Sequence, residues 1–147
     1  MRVLIADDDA TSRKQLGHFI SKMGHRILIA NDGQECIDLL EREAVDILLL
    51  DIKMPKKDGF DVLEHLKGLK IQIPVIMVTA SDEIEMAVRC MQLGAYTYIT
   101  KGKLDSEVLR IAVSGAIKAF NLQQENQRLE KELISKDLFQ HIRGKSD

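Results

Sequence analysis

The chain has 147 residues, 45% of them hydrophobic and 30% charged, with a formal net charge of −2. That is enough for one domain with a modest extension, and with no basic block it carries no electrostatic footprint for nucleic acid. No apolar run approaches the roughly 20 residues that span a bilayer, and Met1-Arg2 leads straight into a strand-like run instead of a signal peptide.

In chain order, the first predicted strand is the apolar run Val3-Leu4-Ile5-Ala6. Leu16, Phe19, Ile20 and Met23 then recur at helical spacing, with Gly24 as the C′ stop. Ile27 to Ala30 is the second strand. Asp32-Gly-Gln-Glu35 has capping-box form and opens a helix through about Arg42. Ile47 to Leu50, the most apolar run, is the third strand and belongs at the centre. Met54-Pro55 and Asp58-Gly59 mark a loop before a helix from about Gly59 to Lys67. Pro74 introduces a fourth strand, Val75 to Val78. Ser81 is expected to cap a helix carrying Ile84, Ala87, Val88 and Met91 on one face and ending near Gly94. Tyr96 to Thr100 is the fifth strand, and a long helix begins near Asp105. Cys36 and Cys90 form no CxxC. They read as half-buried helix residues in a reducing compartment, hence a cytoplasmic location. His18, His25, His65 and His141 lack metal-ligand spacing and read as surface or boundary residues.

Five βα units with continuous apolar strands imply strands buried on both faces. Right-handed crossovers then give an α/β fold, a doubly wound (βα)5 parallel sheet of flavodoxin-like order 2-1-3-4-5, followed by a C-terminal helical extension. Ligands in such sheets bind outside the carboxyl ends of the strands. Asp7 and Asp8, Asp51, Thr79 and Lys101 all lie at those ends, so they are predicted to converge on one polar site. An Asp at a strand end is often only the N-cap of the next helix, and Asp9 is expected to be that. Five charged or hydroxyl groups at one sheet edge exceed what a core requires.

Three clustered carboxylates repel, and a hard divalent cation with oxygen ligands relieves the repulsion. Mg²⁺, held by one or two carboxylates with water and phosphate oxygens, suits the set. An Asp beside such an ion can attack phosphorus. Lys101 can then supply charge, and the Thr79 hydroxyl a hydrogen bond, to the transferring group.

From Val108 a heptad register runs through Ala112, Gly115, Ala119, Leu122, Asn126, Leu129 and Leu133 and breaks at Lys136. An apolar seam with one Asn at a core position resembles a parallel two-stranded coiled coil, so a homodimer through Leu122, Asn126, Leu129 and Leu133 is expected. The alternative is a single helix lying on its own domain.

At these residues the chain resembles the receiver domain of two-component response regulators. The likeness covers about Met1 to Phe120 and rests on Leu4-Ile-Ala-Asp-Asp8, Asp51-Ile-Lys-Met-Pro55, Asp58-Gly59, Val78-Thr79-Ala80, Gly94-Ala95 and Tyr98-Ile-Thr-Lys101. The resemblance implies that Asp51 accepts a phosphoryl group from a phosphohistidine on a sensor histidine kinase. It implies Mg²⁺ held by Asp8, Asp51, the Lys53 carbonyl and, through water, Asp7. Lys101 would pair with the phosphoryl group, Thr79 and Ala80 would bind it, and Tyr98 would swing inward. The response face would be the fourth helix, fifth strand and fifth helix. Gly102 stands where such receivers usually have Pro, which predicts a trans Lys101-Gly102 bond and a looser loop. The Lys53 ammonium is expected to lie over the phosphoryl group and hinder water.

Glu125-Asn-Gln-Arg-Leu129-Glu-Lys-Glu-Leu133, with Phe139 to Ser146, is similar to the linker of sigma-54-dependent activators of the NtrC/DctD class. The expected organisation is a receiver over 1–120, a helical coiled-coil linker over 121–140, and a flexible tail or the start of a truncated output domain over 141–147. The expected function is a non-enzymatic phosphoacceptor switch controlling a downstream output, a sigma-54-dependent transcription ATPase being the one the linker's likeness implies. A stand-alone receiver acting by docking is the alternative. A haloacid-dehalogenase-type phosphohydrolase would need a second Asp where Lys53 stands. A flavodoxin-like cofactor binder would not place three Asp after the first strand.

Overall fold

The computed structural model describes the backbone of residues 1–144 and the side chains through residue 135. Five strands and five helices alternate: β1 Arg2–Ala6, α1 Ala10–Lys22, β2 Arg26–Ala30, α2 Gly33–Arg42, β3 Ile47–Leu50, α3 Gly59–Leu69, β4 Val75–Thr79, α4 Ile84–Gln92, β5 Thr97–Thr100 and α5 Ser106–Gly144. All pairings are parallel and the order is β2-β1-β3-β4-β5, as the sequence predicts. β3 is central and wholly buried.

Alternation along the strands divides the core. Leu4, Ala6, Leu48, Leu50 and Met77 point to the side covered by α2, α3 and α4, where they meet Ile37, Leu63 and Cys90. Val3, Ile5, Ile47, Leu49, Ile76 and Val78 point to the other side and meet Leu16 and Ile20 of α1 and Leu109 and Val113 of α5. Both sides are apolar because both faces are covered by helices, which is why the strands read as unbroken runs.

Helix starts and stops follow local chemistry. Asp9 caps α1, its carboxylate accepting from Thr11 N–H at 3.1 Å and Ser12 Oγ at 3.0 Å. Asp32 caps α2 from Glu35 N–H at 2.8 Å, but the Glu35 carboxylate faces Asn31, so the expected box is half formed. The full reciprocal box is at α3, between Asp58 and Asp61. Gly24 follows α1 with φ 87°, which only glycine adopts freely.

Two expectations, for Ser81 and for the cysteines, need correction. Ser81 does not cap α4: Glu83 holds that position without a side-chain hydrogen bond, and Ser81 Oγ accepts from Glu83 N–H at 3.3 Å. The face of α4 bearing Ile84, Val88 and Met91 is exposed, Ile84 by 80%, because α4 packs through Met86, Cys90 and Leu93. Cys36 and Cys90 are fully buried, and burial pushes the Cys36 thiol up to about 12. The Lys101-Gly102 bond is trans, as expected, and Lys101–Lys103 forms a 3-10 turn.

α5 continues without a break past residue 120. Its backbone is helical through residues 141–144, and residues 145–147 lie outside the described residues. Among the described residues no helix is long and apolar enough to cross a membrane.

Candidate functional site

The carboxyl ends of β1, β3, β4 and β5 bring Asp7, Asp51, Thr79 and Lys101 together. Backbone register does the positioning. Asp7 N–H donates to the Ala30 carbonyl at 3.2 Å, and Asp51 N–H to the Ala6 carbonyl at 3.0 Å, so both acids sit one step beyond paired strands. Thr79 lies beside Thr100 in the last rung of β4 and β5, which delivers Lys101 to the same edge.

Asp7, Asp51 and Thr79 are buried, Asp7 to 1% exposure, and Asp8 is exposed at the rim. The Lys101 ammonium lies 2.8 Å from Asp7 Oδ2 and 3.2 Å from Asp51 Oδ2. Its approach to Asp7 Oδ2 falls outside hydrogen-bond geometry. That buried oxygen therefore has a charge contact but no hydrogen bond among the described residues. The remaining carboxylate oxygens are pinned by backbone amides. Asp9 N–H donates to Asp7 Oδ1 at 2.9 Å, and Ile52 N–H to Asp51 Oδ1 at 2.7 Å.

Burial, and then the neighbouring Asp7 carboxylate, push the Asp51 carboxyl above the ordinary range, with Lys101 and the Thr79 hydroxyl opposing. Burial draws the Lys101 ammonium down, but the contact with Asp7 and the charges of Asp51 and Asp7 outweigh it and hold it above the usual lysine value. Asp7, Asp8 and Asp51 each offer an oxygen within 4.8 Å of the others. Three hard oxygen donors, one of them buried without a hydrogen bond, fit a divalent cation.

The other predicted residues border this centre. Lys53 is exposed and, with Asp8, Met54, Phe60 and Met86, lines a cleft at its mouth. Ala80 follows Thr79 and is exposed. Tyr98 is partly buried, and its hydroxyl donates to the Ser81 carbonyl at 2.6 Å, tying β5 to the β4–α4 loop. Its ring lies beside Ile84, Val88 and Met91. The described structure does not bring Tyr98 or Lys53 into contact with the acids.

Sequence reasoning missed Arg13. Its guanidinium donates to the Asp7 carbonyl at 2.8 Å and braces the acidic loop from α1. Its position four residues after the Asp9 cap is a weak signal, because a charged residue there normally reads as solvated surface.

The proposed seam is split. Ala112 packs on the core beneath α5, and Gly115 lies under the Tyr96 hydroxyl, so these early positions serve the domain itself. Leu122, Asn126, Leu129 and Leu133 are exposed, Leu133 by 61%. Gln124 Nε2 donates to Gln72 Oε1 at 3.0 Å, tying the helix to the α3–β4 loop.

Residues 3–114 match the response regulator receiver domain, more than half of the chain. The Bacillus subtilis protein named alkaline phosphatase synthesis transcriptional regulatory protein PhoP is 30% identical over 141 residues, covering 93% of this chain and 59% of its own length. The Brucella abortus NtrX structure in complex with ADP superposes with a TM-score of 0.81 at 26% identity, covering 87% of this chain and 29% of that one. The CheX-CheY-BeF3-Mg complex from Borrelia burgdorferi superposes with a TM-score of 0.74 at 32% identity, covering 78% of this chain and 87% of the other. The chain thus spans about three fifths of PhoP and under a third of NtrX.

Proposed function

Because the chain belongs to the response regulator receiver family of two-component systems, we propose that it is a phosphoacceptor switch whose acceptor is Asp51. The observation that carries this reading is the contact of one ammonium, Lys101, with two buried carboxylates at the sheet's carboxyl edge. An oxygen of Asp51 attacks the phosphorus of a phosphohistidine on a sensor histidine kinase. The O–P bond forms as the P–N bond breaks, and the histidine nitrogen leaves with the electron pair.

Asp8, Asp51, the Lys53 carbonyl and, through water, Asp7 would hold Mg²⁺, which would supply positive charge for the phosphoryl oxygens. The BeF3 and Mg named with the related CheY support that assignment. Lys101 gives up its contact with Asp51 to pair with the new phosphoryl oxygens, and the Thr79 hydroxyl donates to them. Phosphorylation adds close to two charges and three acceptors. Those acceptors favour one arrangement of the β4–α4 loop, to which Tyr98 is tied through Ser81. A coupling of about 1–3 kcal/mol is typical and gives roughly 5- to 150-fold shifts.

The output face is α4, β5 and α5, where Ile84, Val88, Met91 and Ile111 are exposed. A homodimer through Leu122, Asn126, Leu129 and Leu133 carries the change onward in a cytoplasmic protein. PhoP is named for transcriptional regulation, which supports a transcriptional output, and the ADP complex of NtrX supports an ATPase domain as the one that delivers it.

The test is chemical. After incubation with a phosphorylated kinase and Mg²⁺, borohydride reduction should convert Asp51 alone to homoserine in peptide mapping. Reduction elsewhere, or nowhere in folded protein, contradicts the reading.

A further inference from the structure

The loop between β3 and α3 is gripped at both ends. At its neck, Gly59 N–H donates to the Ile52 carbonyl at 2.7 Å. A Cβ on Gly59 would stand 2.5 Å from the Asp51 carbonyl oxygen. At its tip, Lys57 N–H donates to the Pro55 carbonyl at 2.8 Å, across Lys56 with φ 69°. This is a γ-turn with positive φ, the rare and strained kind. Strain of that sort persists only where the surroundings over-determine it.

Here the surroundings are the N-terminus of α2. A Cβ on Gly33 would stand 1.9 Å from the Lys57 carbonyl oxygen and 2.5 Å from its carbon, so loop backbone fills the space of a side chain. Lys56 Nζ lies 3.5 Å from Asp32 Oδ2, on the residue that caps the same helix. Gly33 does not have a positive φ, so its own conformation makes no demand for glycine. The close approach does.

We propose that Gly33 is a positioning residue for the Asp51 site. By leaving room for the Lys57 carbonyl it lets the α2 N-terminus seat the 52–58 loop. That loop begins with the Ile52 amide, which fixes Asp51 Oδ1 at 2.7 Å. It also carries Lys53, across the cleft from Asp8. The assignment rests on the reading of Asp51 as phosphoacceptor and of the acids as a Mg²⁺ site. It adds a part of the molecule remote in sequence on which both depend.

Gly33→Ala is the direct test, because the blocking atom is backbone and the loop must move. In the metal-free protein, amide NMR shifts of residues 52–58 should move while those of β5 stay. Mg²⁺, titrated as its chloride, should bind about tenfold more weakly, the lower end of what outer-shell changes cost. Asp51 phosphorylation by acetyl phosphate should slow at limiting Mg²⁺ and recover at saturation.

Lys56→Glu is the second variant. Its side chain is 69% exposed, so the core is untouched, and it sets two like charges against each other at Asp32. The added negative charge alone would tighten Mg²⁺. Displacement of the loop predicts the opposite, a loss of roughly threefold or more. If Gly33→Ala fails to fold, Lys56→Glu decides. Unmoved loop shifts with unchanged Mg²⁺ affinity, or tighter Mg²⁺ in Lys56→Glu, would overturn the proposal. A parent chain that takes no phosphoryl group on Asp51 would instead overturn the reading beneath it, leaving the role of Gly33 to the shifts and the Mg²⁺ titration.

Discussion

Asp7 and Asp51 share one buried corner because Lys101 contacts both. Removing a partner from a fully buried ion pair costs about 3–5 kcal/mol. Lys101 keeps 22% of its side chain exposed, so Lys101→Ala should cost less, about 1–3 kcal/mol at neutral pH by urea denaturation. The pH dependence has a definite sign. Asp51 is raised above its ordinary 3.8, chiefly by burial and then by Asp7. Between 3.8 and the raised value the folded state holds a proton the unfolded state has lost, so stability falls as pH climbs through that window. Asp51→Asn should therefore raise the melting temperature of the metal-free protein at pH 7, and the gain should shrink as pH is lowered toward 3.8. Lys101 is raised above 10.5, so its contribution is complete below that pH and is lost as pH rises through the higher folded value. At the mouth of the site, Lys53→Ala should shorten the lifetime of the phosphoryl group if its ammonium screens it from water. An unchanged lifetime would remove Lys53 from the mechanism.

The elements explain which of these residues could be found from sequence. Asp7, Asp51, Thr79 and Lys101 sit next to apolar strands, and parallel order carries every strand end to one edge, so neighbours in space are marked by neighbours in sequence. Arg13 and Gly33 carry no such mark. Each acts on a loop from another element, through a carbonyl contact that no local pattern encodes. On α4 helical spacing marks an apolar stripe without saying what covers it: Ile84 and Val88 lie outside while Cys90 lies inside. Along α5 the first heptad positions pack on the domain's own core, and Leu122, Leu129 and Leu133 are exposed. Most helical stability in proteins comes from packing of an apolar face, and in the single chain these leucines are exposed. Backbone amides of residues 121–135 should then exchange fast in dilute protein and become protected on self-association. Replacing Leu122, Leu129 and Leu133 with Ser should shift sedimentation toward monomer and leave residues 1–114 protected. A dimer that survives this change would move the interface to α4 and β5.

Across the whole molecule, the two-sided core and the polar edge are consequences of one topology. β3 is part of the common wall: Leu49 belongs to the layer beneath α1 and α5, and Leu48 and Leu50 to the layer beneath α2 to α4. The strand that leads into Asp51 is thus fixed from both faces, and the side chain one step beyond it inherits that rigidity. Leu49→Ala should cost about 2–5 kcal/mol. A cation that binds only the folded acids stabilises the whole domain. At about 100 times its Kd, Mg²⁺ should add ~2.7 kcal/mol, seen as a rise of about 5–10 °C in melting temperature. The rise should vanish with EDTA and in Asp8→Ala. The central claim concerns Asp51 itself, and intact-mass spectrometry after incubation with acetyl phosphate tests it most directly. With Mg²⁺ the parent should gain one phosphoryl group that hydroxylamine removes, while Asp51→Asn, or the parent with EDTA, should gain none. A folded parent that binds Mg²⁺ and stays unmodified, or an Asp51→Asn variant modified to the same extent, would contradict the account.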